Sequence, residues 1–461
     1  MKKLHLICNA HLDPVWQWTR DEGVAAAIST FRSAADLCDE FDYIFCHNEA
    51  FLYEAVEEYA PDLFERIVKL VRSGKWKIIG GWYIQPDCNM PSGESFVRQI
   101  KTGHKYFREK FGVTPEIACN FDSFGHSVGL VQILKKCGYK GYMITRPDES
   151  GFGTYPGRFF DWVGPDGSKV TVCRVSSYGS GLGHAAEKIK NSLEKSEDID
   201  VVLWGVGNHG GGPSRKDLRD IAALDVDDSE IIHSYPEKLF ADDIGISGKV
   251  DRSLVVSMPG CYTSMMKIKQ AHRQTEALIY STEKLMSAAS LAGCEFDEAE
   301  QEKAIKKLLL AQFHDILPGS SVPDGEKEGL ELLNSASGVF KDMRTKAFMY
   351  LTMGEKSAAE GEYPVYAFNF MPYELTCPVE AEFSLADQNW DDGTVFVPEV
   401  YDGEKKLTSQ QIKENANINL DWRKRIIFEG KLRPLGVTRF SVRTVKKNKE
   451  NTDKNNKNNK N

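Results

Sequence analysis

The chain has 461 residues, 41% of them hydrophobic and 27% charged, which is an ordinary composition for a globular protein. Its formal net charge of −9, from 58 basic and 67 acidic side chains, argues against a nucleic-acid partner, which favours a basic surface. No apolar run is long enough to cross a bilayer, and the apolar stretch near the N-terminus is too short for a signal peptide. The ten cysteines form no C-x-x-C pair, so we expect free thiols and a cytoplasmic location.

Up to about residue 240, short apolar runs alternate with amphipathic stretches, which predicts helices around a parallel sheet, closed or open. The stretch "DWVGPDGSKVTVCRV" interrupts this alternation and predicts a hairpin that turns at Gly164–Gly167. The predicted strands are Leu4–Cys8, Tyr43–His47, Trp76–Ile79, Ile117–Asn120, Gly141–Thr145, Val170–Val175, Val201–Gly205 and Glu230–Ser234.

The remainder of the chain changes character twice. Residues 262–293, 296–317 and 324–351 show helical periodicity, which predicts a three-helix bundle. From about residue 362, short strands with turn residues predict a β-rich domain, and its length is short for a self-sufficient sandwich. We therefore predict a catalytic domain over 1–257, a bundle over 258–355, an incomplete β domain over 362–445 and a disordered Lys/Asn tail over 446–461.

Four places combine acid–base or metal-ligand chemistry with a position at the end of a predicted strand or helix. Functional side chains gather at the carboxyl ends of parallel strands, so these places are candidates for one site. They are "HLDP" with His11 and Asp13, "NFDSFGHS" with Asp122, "GVGNHGGGPS" with His209, and "FHDILPGSS" with His314 and Asp315.

His11, Asp13, Asp122 and His314 together offer the mixed nitrogen and oxygen ligands that suit zinc best, with cobalt or manganese as alternatives. Taken singly, each residue also has a simpler interpretation. Either aspartate could cap a helix, and a lone histidine is more often a hydrogen-bonded polar residue than a ligand. The glycine-rich loop around His209 lacks the phosphate-loop pattern and is more typical of a tight turn.

The motifs "HLDPVWQW", "NFDSFGHS", "ITRPD", "SSYG", "CYTSMMKIKQAHRQTE" and "FHDILPGSS" together resemble glycoside hydrolase family 38, the retaining α-mannosidases, in a bacterial-type form. The resemblance covers roughly residues 3–445 and implies an α/β fold. It implies a seven-stranded parallel βα barrel, followed by a three-helix bundle and the start of a β-sandwich region. Because family members run much longer than this chain, the resemblance also implies a C-terminal truncation.

The resemblance implies that zinc is held by His11, Asp13, Asp122 and His314, and that Asp122 is the nucleophile that forms a covalent mannosyl-aspartate. The substrate would be a terminal α-linked mannose of an oligosaccharide or glycan, with no nucleic acid or membrane as partner. The oligomeric state, which could be a homo-oligomer, is left open. The residues that would line the sugar are Trp16, Arg146, Tyr178 and Asp315.

This sequence departs from the family pattern at two positions near the expected site. Where longer members carry an acid/base aspartate, the loop offers Asn208 and His209, so we predict His209 as the proton donor. A tryptophan of many members is Met258 here, so the outer sugar subsite is expected to differ. Two alternative functions remain: an inactive, truncated sugar-binding fragment, and a metal-dependent carbohydrate deacetylase.

Overall fold

The computed structural model describes residues 2–148, 155–195, 198–207, 209–226, 229–255, 257–416, 418 and 420–449. The chain divides into two compact units, of which the first comprises Met1–Leu278 and Glu298–Val339 and the second Ile279–Asp297 and Phe340–Asn461. None of the helices in the described part of the chain has the length and apolar character that a membrane span requires.

The strands before residue 258 follow the predicted order, with shifts of one to three residues at most ends. They are β1 (Lys2–Asn9), β2 (Phe45–Glu49), β3 (Trp76–Trp82), β4 (Ile117–Asn120), β5 (Gly141–Ile144), β6 (Phe159–Val163), β7 (Lys169–Arg174), β8 (Ile199–Trp204), β9 (Ser229–His233) and β10 (Lys249–Val250). The helices of the same region are α1 (Arg20–Glu40), α2 (Ala50–Tyr59), α3 (Pro61–Ser73), α4 (Gly93–Phe111), α5 (Gly129–Lys136), α6 (Ala185–Lys195), α7 (Arg215–Ala222) and α8 (Pro236–Phe240).

Backbone pairing arranges these strands in two sheets. The first sheet has the order β3-β2-β1-β8, with β9 also paired to β1, and all of its pairs are parallel. The second has the order β10-β6-β7-β5-β4, in which only β6 and β7 run antiparallel. These two strands form the predicted hairpin, closed where Gly164 N–H donates to Ser168 O at 2.8 Å. Strand β3 lies next to β4, and closure of all strands into a seven-stranded barrel stays a prediction.

Burial explains why the strands are apolar on both faces, as is usual for parallel sheets flanked by helices. Leu4, Leu6 and Cys8 of β1 pack toward the helices, while Ile7 belongs to a separate inner core. That inner core also takes one or two side chains from each of β2 to β8: Cys46, Ile79, Ile117, Cys119, Met143, Phe159, Cys173, Val201 and Leu203. Eight strands therefore share one interior, and β6 is the antiparallel member among them.

Three long helices follow, as the periodicity predicts: α9 (Met266–Leu291), α10 (Glu298–Ala311) and α11 (Pro323–Thr352). Within the first compact unit, the hydroxyl of Thr275 on α9 lies 2.8 Å from that of Ser337 on α11. The predicted second helix is too long at its carboxyl end, because α10 stops at Ala311 and residues 312–319 form turns. His314 and Asp315 therefore lie on turn backbone beyond the helix.

The second unit contains two antiparallel sheets. Their strands are β11 (Glu362–Asn369), β12 (Leu375–Asn389), β13 (Thr394–Asp402), β14 (Lys405–Leu407), β15 (Ser409–Ile412), β16 (Asp421–Leu432) and β17 (Gly436–Asn448). One sheet has the order β11-β17-β13-β14 and the other β12-β16-β15. A single core takes residues from both sheets, including Val400, Phe428 and Phe440.

The predicted start of the Lys/Asn tail at residue 446 falls inside a strand. Lys446, Lys447 and Asn448 belong to β17 and pair with Phe396, Val395 and Thr394 of β13. Pairing with β13 holds this backbone in the sheet while the side chains stay exposed, so composition alone does not reveal the strand. The rest of the predicted tail, from residue 450 onward, lies outside the described residues.

Candidate active site

Five of the candidate residues lie shortly after the carboxyl ends of strands. His11 and Asp13 follow β1, Asp122 follows β4, Arg146 follows β5 and Tyr178 follows β7. Because β1 and β8 are parallel neighbours, and β4, β5 and β7 are also mutually parallel, their carboxyl ends open toward common edges. The strand-end rule therefore accounts for the position of each of these side chains.

His314 reaches the same place by a different route. The loop after β3 pairs with the turns after α10 through an antiparallel bridge between Pro86 and Phe313. The Asp87 N–H donates to Gln312 O at 2.8 Å, and the His314 N–H donates to Gln85 O at 3.3 Å. This short stretch of backbone pairing fixes a residue that lies some three hundred positions from His11 in sequence.

His11, Asp13 and His314 form a buried cluster in which one ligand atom from each lies within 4.8 Å of the others. Nε2 of His11 is 3.0 Å from Oδ1 of Asp13, and Nε2 of His314 is 3.5 Å from the same oxygen. Asp122 lies at the edge of the cluster, with Oδ2 at 3.9 Å from Nε2 of each histidine. The structure thus brings together the four side chains predicted as ligands.

The central atoms of this cluster lack hydrogen-bond partners. Nε2 of His11, Oδ1 of Asp13 and Nε2 of His314 are buried without one among the described residues, because the short nitrogen–oxygen distances are not aligned for hydrogen bonds. Unpartnered buried polar atoms are costly, so their convergence needs a compensating ligand. Two imidazole nitrogens with carboxylate oxygens are a donor set that fits a small divalent cation.

Electrostatics within the cluster agree with this reading. Burial alone would lower the pKa of His314, but the carboxylates of Asp13 and Asp315 raise it to about 10. Burial likewise opposes the charge of Asp13, yet His11 and His314 lower the pKa of its carboxyl well below the usual range. In the absence of a metal, the histidines therefore carry the positive charge that balances the carboxylates. A bound cation would displace their protons and supply that charge instead.

Asp122 and Arg146 form an ion pair beside the cluster. Nε of Arg146 donates to Oδ1 of Asp122, which leaves Oδ2 facing the histidines. The backbone carbonyl of Arg146 accepts a hydrogen bond from Nε2 of the buried His126 at 3.0 Å. One oxygen of the carboxylate is thus bonded to the arginine, and the other faces the cluster.

Two further predicted residues contact the histidines. The ring of Tyr178 lies against that of His11, with centroids 4.5 Å apart, and its backbone carbonyl accepts from Nδ2 of Asn9 at 2.9 Å. Oδ2 of Asp315 is 3.8 Å from Nε2 of His314, and burial raises the pKa of Asp315 to about 7. Both groups therefore border the cluster.

Trp16 and His209 belong to a neighbouring aromatic group. The rings of Trp16 and Trp18 meet edge to face at 5.5 Å, and the ring of His209 lies 4.0 Å from that of Trp18. The indole N–H of Trp18 donates to the Asp13 carbonyl at 2.8 Å, which connects this group to the metal-ligand segment. Nε2 of His209 pairs with Oε1 of Glu22 at 3.0 Å, while Asn208 lies outside the described residues.

Sequence reasoning missed two residues of this region, Glu22 and Gln85. Gln85 follows β3 in "WYIQPDCN", so the strand-end rule applied to this strand would have found it. The predicted strand stopped at Ile79, because Gly80 and Gly81 have the composition of a strand end; in the structure they continue β3 with φ of 72° and 81°. Glu22 lies in the first turn of α1, where an acidic residue is ordinary and carries no signal.

Comparison with known proteins identifies the family to which this arrangement belongs. Residues 1–241, more than half of the chain, match the glycosyl hydrolases family 38 N-terminal domain. The chain belongs to glycosyl hydrolase family 38. Residues 258–359 match the alpha mannosidase middle domain, so a second family 38 segment follows the first in the expected order.

Curated relatives and a solved structure that are similar to the chain are alpha-mannosidases. The chain is 27% identical over 390 residues to alpha-mannosidase 2C1 of Mus musculus and 28% identical over 362 residues to alpha-mannosidase G of Dictyostelium discoideum. These alignments cover 81% and 75% of this chain but 37% and 33% of those proteins, so the chain spans about a third of their length. The crystal structure of an alpha-mannosidase from Enterococcus faecalis shares the fold, with a TM-score of 0.77 at 18% identity over 96% of this chain and 56% of that one.

Proposed function

We propose that this family 38 chain is a zinc-dependent retaining α-mannosidase that hydrolyses terminal α-linked mannose from glycans. The observation that carries the proposal is the convergence of three buried, unpartnered donor atoms, from His11, Asp13 and His314, beside the arginine-paired carboxylate of Asp122. A metal-assisted glycosidase uses both elements, a centre that binds the hydroxyls of one sugar and a carboxylate next to its anomeric carbon.

The metal would be held by His11, Asp13, His314 and Asp122, whose nitrogen and oxygen donors suit zinc. When bound, zinc would supply Lewis-acid stabilisation and a template for the adjacent 2- and 3-hydroxyls of mannose. The aromatic face of Trp16 would contact the apolar face of the ring, with Tyr178 and Asp315 offering hydrogen-bonding groups to its hydroxyls.

Asp122 would act as the nucleophile. Its carboxylate attacks the anomeric carbon, the bond to the leaving oxygen breaks, and a covalent mannosyl-aspartate forms with inverted configuration. Water then attacks the same carbon, and the second inversion releases mannose with net retention. Arg146 supports this role, because its fixed hydrogen bond to Oδ1 orients the carboxylate.

His209 would serve as the general acid and base. In the first step it protonates the leaving oxygen, and in the second it accepts a proton from the attacking water. The ion pair with Glu22 supports the assignment, since a carboxylate bonded to one ring nitrogen fixes the orientation of the ring. Trp18, which contacts His209 and the Asp13 backbone, would hold the pair near the centre.

The seven-stranded barrel and the cytoplasmic location are part of this proposal. The inner core, which takes side chains from β1 to β8, supports the barrel, with the antiparallel β6 as an addition to seven parallel strands. The ten free cysteines, seven of them buried in the fold, support a reducing compartment. Mannose-containing glycans are the proposed partners, and the proposal includes neither a nucleic acid nor a membrane as partner.

The direct test is turnover of an aryl α-D-mannoside by the purified full chain, with bound metal measured in parallel. We expect about one zinc per chain, loss of turnover on chelation and recovery with zinc. Asp122→Asn should abolish turnover with the fold retained, whereas Asp217→Asn is the matched control, because Asp217 is also buried but bonds to Ser214 and Ala185 instead. Full turnover by the metal-free chain would contradict the zinc assignment.

The same assay separates the alternative functions. Metal and mannose binding without turnover would identify an inactive sugar-binding fragment. Release of acetate from an acetylated oligosaccharide, with no release of mannose, would identify a deacetylase.

A further inference from the structure

Gln85 contacts three segments that carry the proposed metal ligands, although it is not itself a ligand. It follows β3 in the loop that pairs with the turns around His314, and its side chain is fully buried. Its backbone N–H donates to Oε1 of the buried Glu49 at 2.9 Å, which anchors the residue from behind. The remaining hydrogen-bonding groups of Gln85 are directed toward the ligand segments.

Each of these contacts is made on the side of the ligand that faces away from the cluster. Nδ1 of His314 donates to the Gln85 carbonyl at 3.0 Å, and Nε2 of the Gln85 amide lies 3.4 Å from Nδ1 of His11. The amide oxygen accepts the Phe121 N–H at 2.7 Å, and Phe121 immediately precedes Asp122. One residue therefore turns the His314 ring so that Nε2 points inward, places its amide against the ring of His11, and fixes the backbone before the carboxylate ligand.

We propose that Gln85 is a positioning residue that sets the affinity of the centre for its metal ion. The inference rests on the proposed metal centre and extends it, because partners behind the ligands tune metal affinity by holding each ring in its binding orientation. The Gln85 side chain reaches two of the ligand segments at once, because it accepts the Phe121 N–H and lies against the ring of His11. Loss of this side chain should therefore disturb the ligand geometry more than loss of an equally buried glutamine that does not contact the ligands.

A buried glutamine could also serve only to stabilise the fold, and Gln99 provides the comparison. Gln99 on α4 is equally buried, its amide oxygen accepts the Ile84 N–H at 3.2 Å, and its amide nitrogen donates to Leu309 O at 2.9 Å. The two glutamines thus make side-chain hydrogen bonds of the same kind to backbone. They differ in that Gln85 contacts the ligands themselves or the residue next to one, whereas Gln99, whose Nε2 also donates to Gln312 Oε1 at 3.2 Å, bonds to residues farther from the ligands.

The test is equilibrium titration of the metal-free full chain with Co²⁺, whose visible absorption reports ligand geometry, alongside Gln85→Met, Gln85→Glu and Gln99→Met. Methionine keeps the volume and removes the hydrogen bonds. We expect Gln85→Met to raise the Co²⁺ dissociation constant by about 10- to 100-fold and to alter the spectrum, with Gln99→Met unchanged in both. Gln85→Glu should bind at least as tightly as the native chain, because a carboxylate can accept from the Phe121 N–H and from Nδ1–H of His11.

The outcomes are distinguishable. Native affinity and spectrum in Gln85→Met would overturn the inference and leave the metal centre intact. Equal weakening in Gln99→Met, or weakening of Gln85→Glu to the level of Gln85→Met, would also overturn it, since either result would indicate a packing effect. A native chain that binds no Co²⁺ would overturn the metal centre and the inference together.

Discussion

Arg146 donates from Nε to Oδ1 of Asp122, while the other oxygen of that carboxylate lies 3.9 Å from Nε2 of His11 and of His314. The two carboxylate oxygens thus have separate partners, one a fixed cation and the other the proposed metal cluster. In the proposed mechanism, this division holds the nucleophile in one orientation before substrate arrives.

We predict that Arg146→Lys lowers kcat/KM for an aryl α-mannoside by roughly 100-fold, because lysine cannot reproduce the directed guanidinium bond and the carboxylate loses its alignment. Steady-state kinetics measure the change. The matched control is Arg158→Lys, since Arg158 pairs with Asp200 at 2.7 Å and its side chain is as exposed as that of Arg146. Equal losses in both variants would remove any special role for Arg146.

The loss of kcat/KM on replacing His209 should increase with the basicity of the leaving group. We expect His209→Ala to lower kcat/KM by about 10²- to 10⁴-fold for an alkyl mannoside, and by far less for a dinitrophenyl mannoside, whose leaving group departs without protonation. Glu22→Gln should show a weaker effect of the same kind, because Glu22 pairs with the ring of His209. A loss independent of the leaving group would exclude His209 as the acid.

Acidification should destabilise the fold through the buried His126. The Tyr142 hydroxyl donates to its Nδ1 at 2.8 Å and Nε2 bonds to Arg146 O, so the ring is neutral, and burial lowers its pKa to about 4. Unfolded histidine titrates near pH ~6.5, so the unfolded chain binds more protons below that pH. The free energy of unfolding should fall as pH drops from about 6.5 to about 4, by up to about 3 kcal/mol from this residue.

Urea unfolding across this pH range measures the effect. In His126→Gln the amide can accept from Tyr142 and donate to Arg146 O without titrating, so the slope should be shallower than in the native chain. His184→Gln, at an exposed histidine, is the control. An unchanged slope in His126→Gln would show that other groups cause the acid sensitivity.

Two glycines within helices should respond in opposite directions to alanine. Gly103 of α4 is buried against β3, and a β-carbon there would meet the Gly81 carbonyl and the Trp82 backbone. We expect Gly103→Ala to lower the free energy of unfolding by about 1–3 kcal/mol. Gly338 of α11 is exposed with open space around it, so Gly338→Ala should raise that free energy by about 0.5–1 kcal/mol. Denaturant titration measures both changes. A stabilised Gly103→Ala or a destabilised Gly338→Ala would contradict the prediction.

Much of the first unit could be predicted from the sequence, because strongly apolar segments bounded by polar residues have few alternatives. Ile117–Asn120 coincides with its predicted bounds, and the hairpin at Gly164–Gly167 forms as expected. The strand-end rule then gave the positions of His11, Asp13 and Asp122. Their convergence with His314 could not be derived locally, since it depends on backbone pairing between the loops at Pro86 and Phe313.

The β domain was harder to predict. Strands β12 and β16 alternate partly buried and charged residues, as in "VEAEFSLADQN" and "DWRKRIIFEGKL", and such stretches do not stand out by apolar content. Lys424 is buried within β16 and bonds to Asp421, a pairing that only the folded sheet provides. The partners of His209 were missed for the same reason: Glu22 lies far away in sequence and comes close only through the fold.

In the proposed mechanism, Asp122 forms a covalent bond to a mannose that is held at the metal centre. The most direct measurement is mass-spectrometric peptide mapping of the zinc-loaded chain after reaction with an activated fluorinated mannosyl donor, whose glycosyl-enzyme hydrolyses slowly. We expect one mannosyl adduct per chain, on the peptide that contains Asp122, and no adduct in Asp122→Asn. An adduct on a different carboxylate, or steady turnover of the donor with no adduct at Asp122, would contradict it.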